Sequence, residues 1–168
     1  MAKYLHALVS PLRRKVASWW AMPRQEKLWL VPAWILLGIV RCVLLIVPFR
    51  RIAPLLGKSI QETSLEPRAD ESQIAYALSI GHAIELAASY APWESKCLAQ
   101  AITARVLLGL NSLPYSLFLG VHNDTAQGMR AHAWVRTGCA IVTGENGCLE
   151  FTVVSTFVSP NPSRSHFS

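Results

Sequence analysis

Charged residues are scarce in this chain. Asp, Glu, Lys and Arg make up 15% of its 168 residues, whereas 52% of the residues are hydrophobic, so the chain is more apolar than an ordinary soluble domain. The sequence has no zinc-finger spacing, no RNP-like run and no basic helix with interleaved aromatic residues. Despite the net charge of +6, we therefore expect no nucleic-acid partner.

Paired cysteines are also missing. The four cysteines form no Cys-x-x-Cys motif, which argues against a metal finger or a redox pair. We expect Cys42, Cys139 and Cys148 to be mostly buried, unreactive thiols of a cytosolic protein. Two alternatives stay open. One is a disulfide between Cys139 and Cys148, and the other is a zinc site made of four residues, Cys97, His122, His132 and Cys139.

The basic residues are concentrated in the N-terminal part of the chain, from residue 1 to 68. This asymmetry favours contact with a membrane surface or an acidic partner. Residues 1–23 are typical of a basic amphipathic arm, with Arg13, Arg14 and Lys15 near Trp19 and Trp20. A solvated helix whose tryptophans pack back on the body fits the same pattern.

A long apolar run covers residues 28–49. It holds one charge, Arg41, and two prolines, Pro32 and Pro48. Its length would suit a transmembrane helix, but a central Arg costs about 2.5–3.5 kcal/mol in lipid. We expect a helix, kinked or interrupted near the prolines, that packs on the core or on a partner protein of a cytoplasmic chain. Spanning or peripheral membrane association is the alternative.

The composition divides the chain into four parts. Residues 1–56 form a basic and apolar helical region, and residues 57–69, which mix Gly, Ser, Thr and Pro, are typical of a linker. A single folded core is expected over 70–158. The tail at 159–168 is expected to be disordered.

The pattern in the core changes from helical to extended. Asp70 and Gln73 are typical of a capping box that opens a helix to about residue 90, and a second helix is expected over 95–110, with Ser95 as its N-cap. Thr137-Gly138 predicts a tight turn. Four strands are expected, over 115–122, 132–137, 139–143 and 149–154. Helices followed by an antiparallel sheet predict an α+β fold.

Three residues have the order of a Cys/His/acid hydrolase. Cys97 falls in the first turn of the second helix, where unpaired backbone N–H groups favour a thiolate. His132 opens a strand, and the hairpin that follows returns Glu145 towards it. These residues would act as nucleophile, base and orienting acid.

Each of these residues also has an ordinary structural explanation. Cys97 fits a buried core thiol, His132 a satisfied core histidine and Glu145 an exposed turn acid. His122 and Asp124, in the preceding loop, compete for the catalytic roles. The order and spacing of the three residues together are what favour catalysis.

Several segments carry a family resemblance. They are Lys96-Cys97-Leu98-Ala99-Gln100-Ala101, Leu107-Leu108-Gly109-Leu110, Leu119-Gly120-Val121, Ala131-His132-Ala133-Trp134-Val135 and the N-terminal Val47-Pro48-Phe49-Arg50-Arg51. Together they strongly resemble the leader-peptidase part of the lasso-peptide biosynthesis B proteins, within the transglutaminase-like cysteine protease superfamily. The resemblance covers most of the chain. It departs at Glu145, where the family usually has Asp.

The resemblance implies a fold and a reaction. The fold would be a transglutaminase-like or papain-like core, with the cysteine helix packed on a small antiparallel sheet and apolar helices before it. The enzyme would cut a precursor peptide between leader and core, with no metal or cofactor. Its partners would be a separate winged-helix leader-binding protein and an ATP-dependent lasso cyclase. The alternatives are a transglutaminase-like acyl transferase and a non-catalytic scaffold docked through residues 28–49.

Overall fold

The computed structural model describes residues 24–56, 58–60, 68–124 and 128–159. The expected basic arm, most of the linker and all of the tail after Ser159 lie outside these ranges. The helices are α1 (Arg24–Ile46), α2 (Phe49–Ile52), α3 (Glu71–Tyr90) and α4 (Cys97–Leu110). The strands are β1 (Lys58–Ile60), β2 (Ser116–Asp124), β3 (Gly128–Thr137), β4 (Ala140–Thr143) and β5 (Thr152–Val158).

The five strands form one antiparallel sheet in the order β1-β5-β2-β3-β4. The helices precede the four main strands in the chain, which confirms the predicted α+β fold. β1 is a correction, since it lies within the expected linker at 57–69. Its residue Ser59 pairs with Phe157. Three residues are too few to show an alternating pattern, so the pairing with β5 defines this strand rather than its own sequence.

The strand boundaries differ most near the end of the chain. β5 was expected at 149–154 but runs from Thr152 to Val158, and Cys148–Glu150 form a 3-10 helix instead. Gly147 explains the change, because its left-handed backbone (φ +76°) turns the chain before this helix. β2 and β3 are longer than expected, since they continue pairing out to Asp124 and Gly128.

The predicted capping box of α3 is confirmed. The Asp70 carboxylate accepts the Gln73 backbone N–H at 2.8 Å, and the Gln73 side chain accepts the Asp70 backbone N–H at 3.1 Å. Hydrogen bonds from the Ser72 hydroxyl and the Gln73 backbone hold the pKa of Asp70 below its ordinary value. Two of the N–H groups at the start of α3 are thereby satisfied, which fixes where the core begins.

The main core lies between the helices and one face of the sheet. The largest fully buried side chains there come from α1, α3, α4 and the strands and include Leu37, Ile80, Ile84, Leu108, Leu117 and Val135. A smaller cluster, which contains Phe118, Trp134 and Cys148, lies apart from the main core. Side chains alternate along β3, with Ala133 and Val135 in the main core and Trp134 in the smaller cluster.

The apolar run forms α1 and packs on the core through α3. Of the two prolines where an interruption was expected, Pro32 lies inside the continuous helix, whereas the helix ends just before Pro48 and a new one begins at Phe49. Arg41 ion-pairs with Glu94 at 3.7 Å, so the charge that the sequence left without a partner has one in the fold. By length and composition α1 could cross a membrane, with a mean hydropathy of 2.3 over Glu26–Ile46.

The cysteines are all free, so the disulfide between Cys139 and Cys148 is wrong. Cys139 is exposed in the turn between β3 and β4, whereas Cys148 is buried in the smaller cluster. Cys42 is exposed on α1. The expectation of mostly buried thiols therefore holds for Cys148 but fails for Cys42 and Cys139.

Gly81 of α3 lies directly against Val142 of β4, and we predict that it tolerates no side chain. A Cβ at this position would collide with the Val142 carbonyl oxygen, which belongs to the sheet backbone and cannot yield cheaply. Gly81→Ala should reduce the free energy of unfolding by about 1–3 kcal/mol, measured by urea denaturation.

Gly109→Ala is the matched control, because Gly109 also lies in a helix but is exposed and would meet only a Tyr115 ring atom at 3.9 Å. It should leave stability unchanged or raise it by up to about 1 kcal/mol through helix propensity. Equal effects of the two substitutions would show that the α3–β4 contact does not limit stability.

Candidate active site

Cys97 is the first residue of α4 and is half-buried. The predicted N-cap, Ser95, is wrong: Lys96 occupies that position, and its carbonyl accepts the N–H groups of Ala99 and Gln100. No side chain caps this helix start. The backbone N–H groups of the first turn, around Cys97, therefore have no side-chain acceptor.

The loop before Cys97 holds two buried polar atoms without a hydrogen-bond partner, Trp93 Nε1 and Ser95 Oγ. The Ser95 carbonyl is bound by the Gln100 side chain at 2.8 Å, which ties the loop to the first turn of α4. The Trp93 ring packs against Trp34 and over Gly38 of α1. An unpaired buried hydroxyl is costly, so the one at Ser95, two residues before the thiol, is a candidate donor to a bound group.

His132 is half-buried on β3, opposite Gly120 of β2. Its Nε2 lies 2.9 Å from the Gly144 carbonyl oxygen. A carbonyl only accepts hydrogen bonds, so Nε2 carries the proton in this contact and a neutral ring has its lone pair on Nδ1. Nδ1 is the atom that can accept a proton from a thiol.

Two aromatic rings hold the imidazole in place. Its centroid lies 5.0 Å from that of Phe151 and 5.9 Å from that of Trp134. Gly120 provides the room for these rings, since a Cβ there would lie 2.8 Å from the Phe151 Cβ and 2.9 Å from the Trp134 ring. The imidazole orientation thus depends on a missing side chain on the neighbouring strand.

The loop that contains Glu145 reaches His132 through its backbone. Gly144 supplies the carbonyl at 2.9 Å, whereas the Glu145 side chain is exposed. In the described part of the chain, no hydrogen bond joins the Glu145 carboxylate to His132. Gly144 has a left-handed backbone (φ +79°), which turns the chain at the end of β4.

The competing residues lie further along the same strands. Asp124 pairs with Gly128, four positions from His132, which corresponds to roughly 13 Å along a strand. The His122 Nδ1 atom lies 2.9 Å from the Glu150 carbonyl oxygen, and its ring contacts Phe151. His122 therefore contacts the same Phe151 ring as His132.

Cys97 and His132 lie on different sides of β3. Cys97 packs against the main core, while His132 contacts the smaller cluster. No hydrogen bond connects the two among residues 24–56, 58–60, 68–124 and 128–159. β4 pairs with β3 only over Val135–Thr137, so β3 has an open edge next to His132.

The start of α4 is directed towards this end of the sheet. The chain leaves α4 near Pro114, whose carbonyl accepts a hydrogen bond from Thr137 at the far end of β3. α4 runs back from there for 14 residues, roughly 21 Å. Cys97 therefore lies towards the part of β3 where His132 begins the buried half of the strand.

The zinc alternative is wrong for the described residues, where no group of three or more His, Cys, Asp or Glu residues could hold a metal ion. Cys139 lies in the β3–β4 turn, beyond Thr137, while His132 is near the other end of the buried half of β3. His122, His132 and Cys139 are thus distributed along the sheet, and Cys97 lies on α4.

Comparison with known families now adds to this geometry. A model of the transglutaminase-like superfamily matches residues 43–156, more than half of the chain. The chain belongs to this superfamily. The match confirms the resemblance at the level of the superfamily, which includes cysteine proteases and acyl transferases. No curated protein and no solved structure shows significant similarity to the chain.

Sequence reasoning missed the parts of this transglutaminase-like site that act through packing and backbone. Trp134 could have been found, because it lies two residues after His132 on the same face of a strand. Phe151 and the Gly144 carbonyl gave no signal, since Phe151 was assigned to an ordinary strand and a carbonyl has no sequence signature. Gly120 lay within a predicted strand, where a glycine often marks close approach of a neighbour.

We predict that Gly120→Ala disturbs the imidazole more than it disturbs the fold. The new Cβ forces apart the Phe151 and Trp134 rings that hold His132. The ¹⁵N resonances of His132 should shift, and the free energy of unfolding should fall by about 1–3 kcal/mol. Gly109→Ala again provides the control, with unchanged His132 resonances. A Gly120→Ala protein with native His132 resonances would contradict the role assigned to these rings.

Proposed function

We propose that this transglutaminase-like protein is a cysteine peptidase with Cys97 as nucleophile, His132 as general base and Glu145 as the acidic residue. The observation that carries the proposal is Cys97 at the uncapped start of a buried helix, within the region that matches the superfamily. The tautomer of His132 supports it, because Nδ1 is left to accept a proton. Glu145 adjoins the carbonyl that fixes this tautomer.

The proposed reaction has two steps. The Cys97 sulfur attacks the carbonyl carbon of the scissile peptide bond, and His132 Nδ1 takes the thiol proton and gives it to the leaving amine. Water then attacks the thioester, its proton passes through His132, and the Cys97 thiol is released with the new carboxyl group. The Cys97 N–H and the Ser95 hydroxyl are the proposed donors to the oxyanion.

The proposal requires the thiol and the imidazole to approach each other around the open edge of β3. Catalytic hydrogen bonds are often long in free enzymes and shorten when substrate binds. A peptide that lies along this edge would hold its carbonyl between Cys97 and His132. Nε2 stays bound to Gly144 during this approach, so the ring keeps its tautomer.

We propose as substrate the leader-containing precursor of a lasso peptide. The support is the resemblance of the segments around Cys97 and His132 to the lasso-peptide B proteins. The partners would be a separate winged-helix leader-binding protein, which raises the local concentration of substrate, and an ATP-dependent cyclase that uses the freed amine. The site would need no metal or cofactor.

An acyl transferase is the second candidate, because the superfamily includes such enzymes. The same thioester would form on Cys97, and an amine would replace water in the second step. Mass spectrometry of the products separates the two reactions, since hydrolysis adds one water to the pair of fragments and transfer to an amine does not. A non-catalytic scaffold would form neither product and would tolerate loss of Cys97.

Loss of the proposed nucleophile should abolish the activity. Cys97→Ala should lower precursor cleavage by on the order of a thousandfold or more, with an unchanged melting temperature. In the wild type, iodoacetamide near neutral pH should modify Cys97 before Cys42 and Cys139. These two thiols are exposed whereas Cys97 is half-buried, so faster labelling of Cys97 would reflect thiolate character rather than access. Cleavage is measured by mass spectrometry with the leader-binding protein present. Full activity of Cys97→Ala would overturn the proposal.

Loss of the proposed acid should have a smaller effect. Glu145→Gln should lower kcat by roughly tenfold or more, yet leave more activity than His132→Ala, because the Gly144 carbonyl still fixes the tautomer. Glu150→Gln is the matched control, since Glu150 is an exposed acid close to the same loop in sequence. A larger loss in Asp124→Asn than in Glu145→Gln would show that the acid comes from the end of β2.

A further inference from the structure

We propose that α1 docks this protein side-on onto an anionic lipid surface. The docking surface is the apolar stripe, defined as Leu28, Val31, Ile35, Ile39, Cys42 and Ile46. All six side chains are exposed, and the five aliphatic ones range from 51% at Ile35 to 81% at Ile46. This property is separate from the proposed peptidase activity, which uses α4 and β3.

The apolar stripe is one continuous face of α1. Its members follow each other at intervals of three or four residues, which places them within about 80° of one another at 100° per residue. The buried residues Ala33, Leu37 and Val40 lie on the opposite side and pack in the main core. α1 is thus apolar all round, with one side satisfied by protein and the other exposed.

This packing favours a helix that lies on a membrane rather than one that spans it. Ala33 and Leu37 are fully buried in the core, and Arg41 is paired with Glu94. A spanning helix would have to leave these contacts and carry Arg41 into lipid without its partner. Side-on contact leaves the core intact and covers only the apolar stripe.

The charges around the apolar stripe suit an anionic surface. Arg50 and Arg51 are exposed just beyond its C-terminal end. Two acids near the apolar stripe have partners: Glu26 contacts His82 at 3.4 Å, and Glu94 forms ion pairs with Arg41 and Lys96. In the sequence, Glu26 is also the only acidic residue before Glu62. Arg50 and Arg51 are thus available to lipid phosphates beside the apolar stripe, and each basic residue near anionic lipid adds attraction.

The chemistry of the apolar stripe favours lipid over a protein partner. Apart from the Cys42 thiol, its side chains are aliphatic and offer no hydrogen bond. Protein interfaces are rich in aromatic anchors and carry about one hydrogen bond per 100–200 Å². Acyl chains need neither. A ridge of aliphatic side chains next to exposed arginines matches the boundary between acyl chains and phosphate headgroups.

The test is flotation of the full chain with lipid vesicles. We expect binding to mixed phosphatidylcholine–phosphatidylglycerol vesicles, weaker binding to pure phosphatidylcholine, and weakening by salt. Ile35→Glu/Ile39→Glu should lower the partition coefficient by about tenfold or more. Arg50→Gln/Arg51→Gln should lower it roughly fivefold per charge on the anionic vesicles only.

Leu110→Glu is the matched control, because Leu110 is equally exposed (76%) but lies at the end of α4. It should bind like the wild type, and melting temperatures confirm that each variant folds. If the Ile35→Glu/Ile39→Glu protein is unfolded, Val31→Ser/Ile46→Ser replaces it. Three outcomes would overturn the proposal: no flotation with anionic vesicles, bound protein that resists extraction by alkaline carbonate, or stripe variants that abolish self-association and leave flotation unchanged. The second would indicate a spanning helix, and the third a contact between copies of the chain.

Discussion

The alternation of side chains along β3 is the constraint on which the site depends. Ala133 and Val135 are buried against the helices, so Trp134 and His132 must project to the other face. A shift of one residue in register would place the Ala133 and Val135 side chains in the aromatic cluster and Trp134 in the main core. The nine-residue pairing with β2 prevents this shift. The position of the imidazole therefore follows from the packing of three apolar neighbours.

The sequence allowed the scaffold to be predicted where local chemistry determines it. The capping box at Asp70 and Gln73 and the turn after Thr137 depend only on adjacent residues, and both occur. Non-local features were harder. The β1 strand exists only because Ser59 meets Phe157 almost a hundred positions later in the chain, and the partner of Arg41 comes from a loop after α3. Neither contact has a local pattern.

The same distinction applies to the candidate site. The position of a cysteine at a helix start and of a histidine on a strand can be predicted from residue spacing, because the periods of helices and strands are fixed. The contact between His132 and the Gly144 carbonyl was not predicted from the sequence, since the predicted partner was the side chain of the next residue, Glu145. The left-handed Gly144 turns the backbone so that its carbonyl meets the imidazole and the Glu145 side chain remains exposed.

In many enzymes one acidic side chain both fixes the tautomer of the imidazole and stabilises the imidazolium. The Gly144 carbonyl can perform only the first of these tasks. A carbonyl fixes the tautomer of a neutral imidazole as well as a carboxylate does, but it carries no net charge to stabilise the imidazolium that forms after proton transfer. An exposed carboxylate acts across solvent, where its interaction with the ring is weak. The orientation of His132 is thus set by the Gly144 carbonyl before any substrate binds. Charge stabilisation would require water to be excluded around Glu145, which a peptide bound along the edge of β3 can provide.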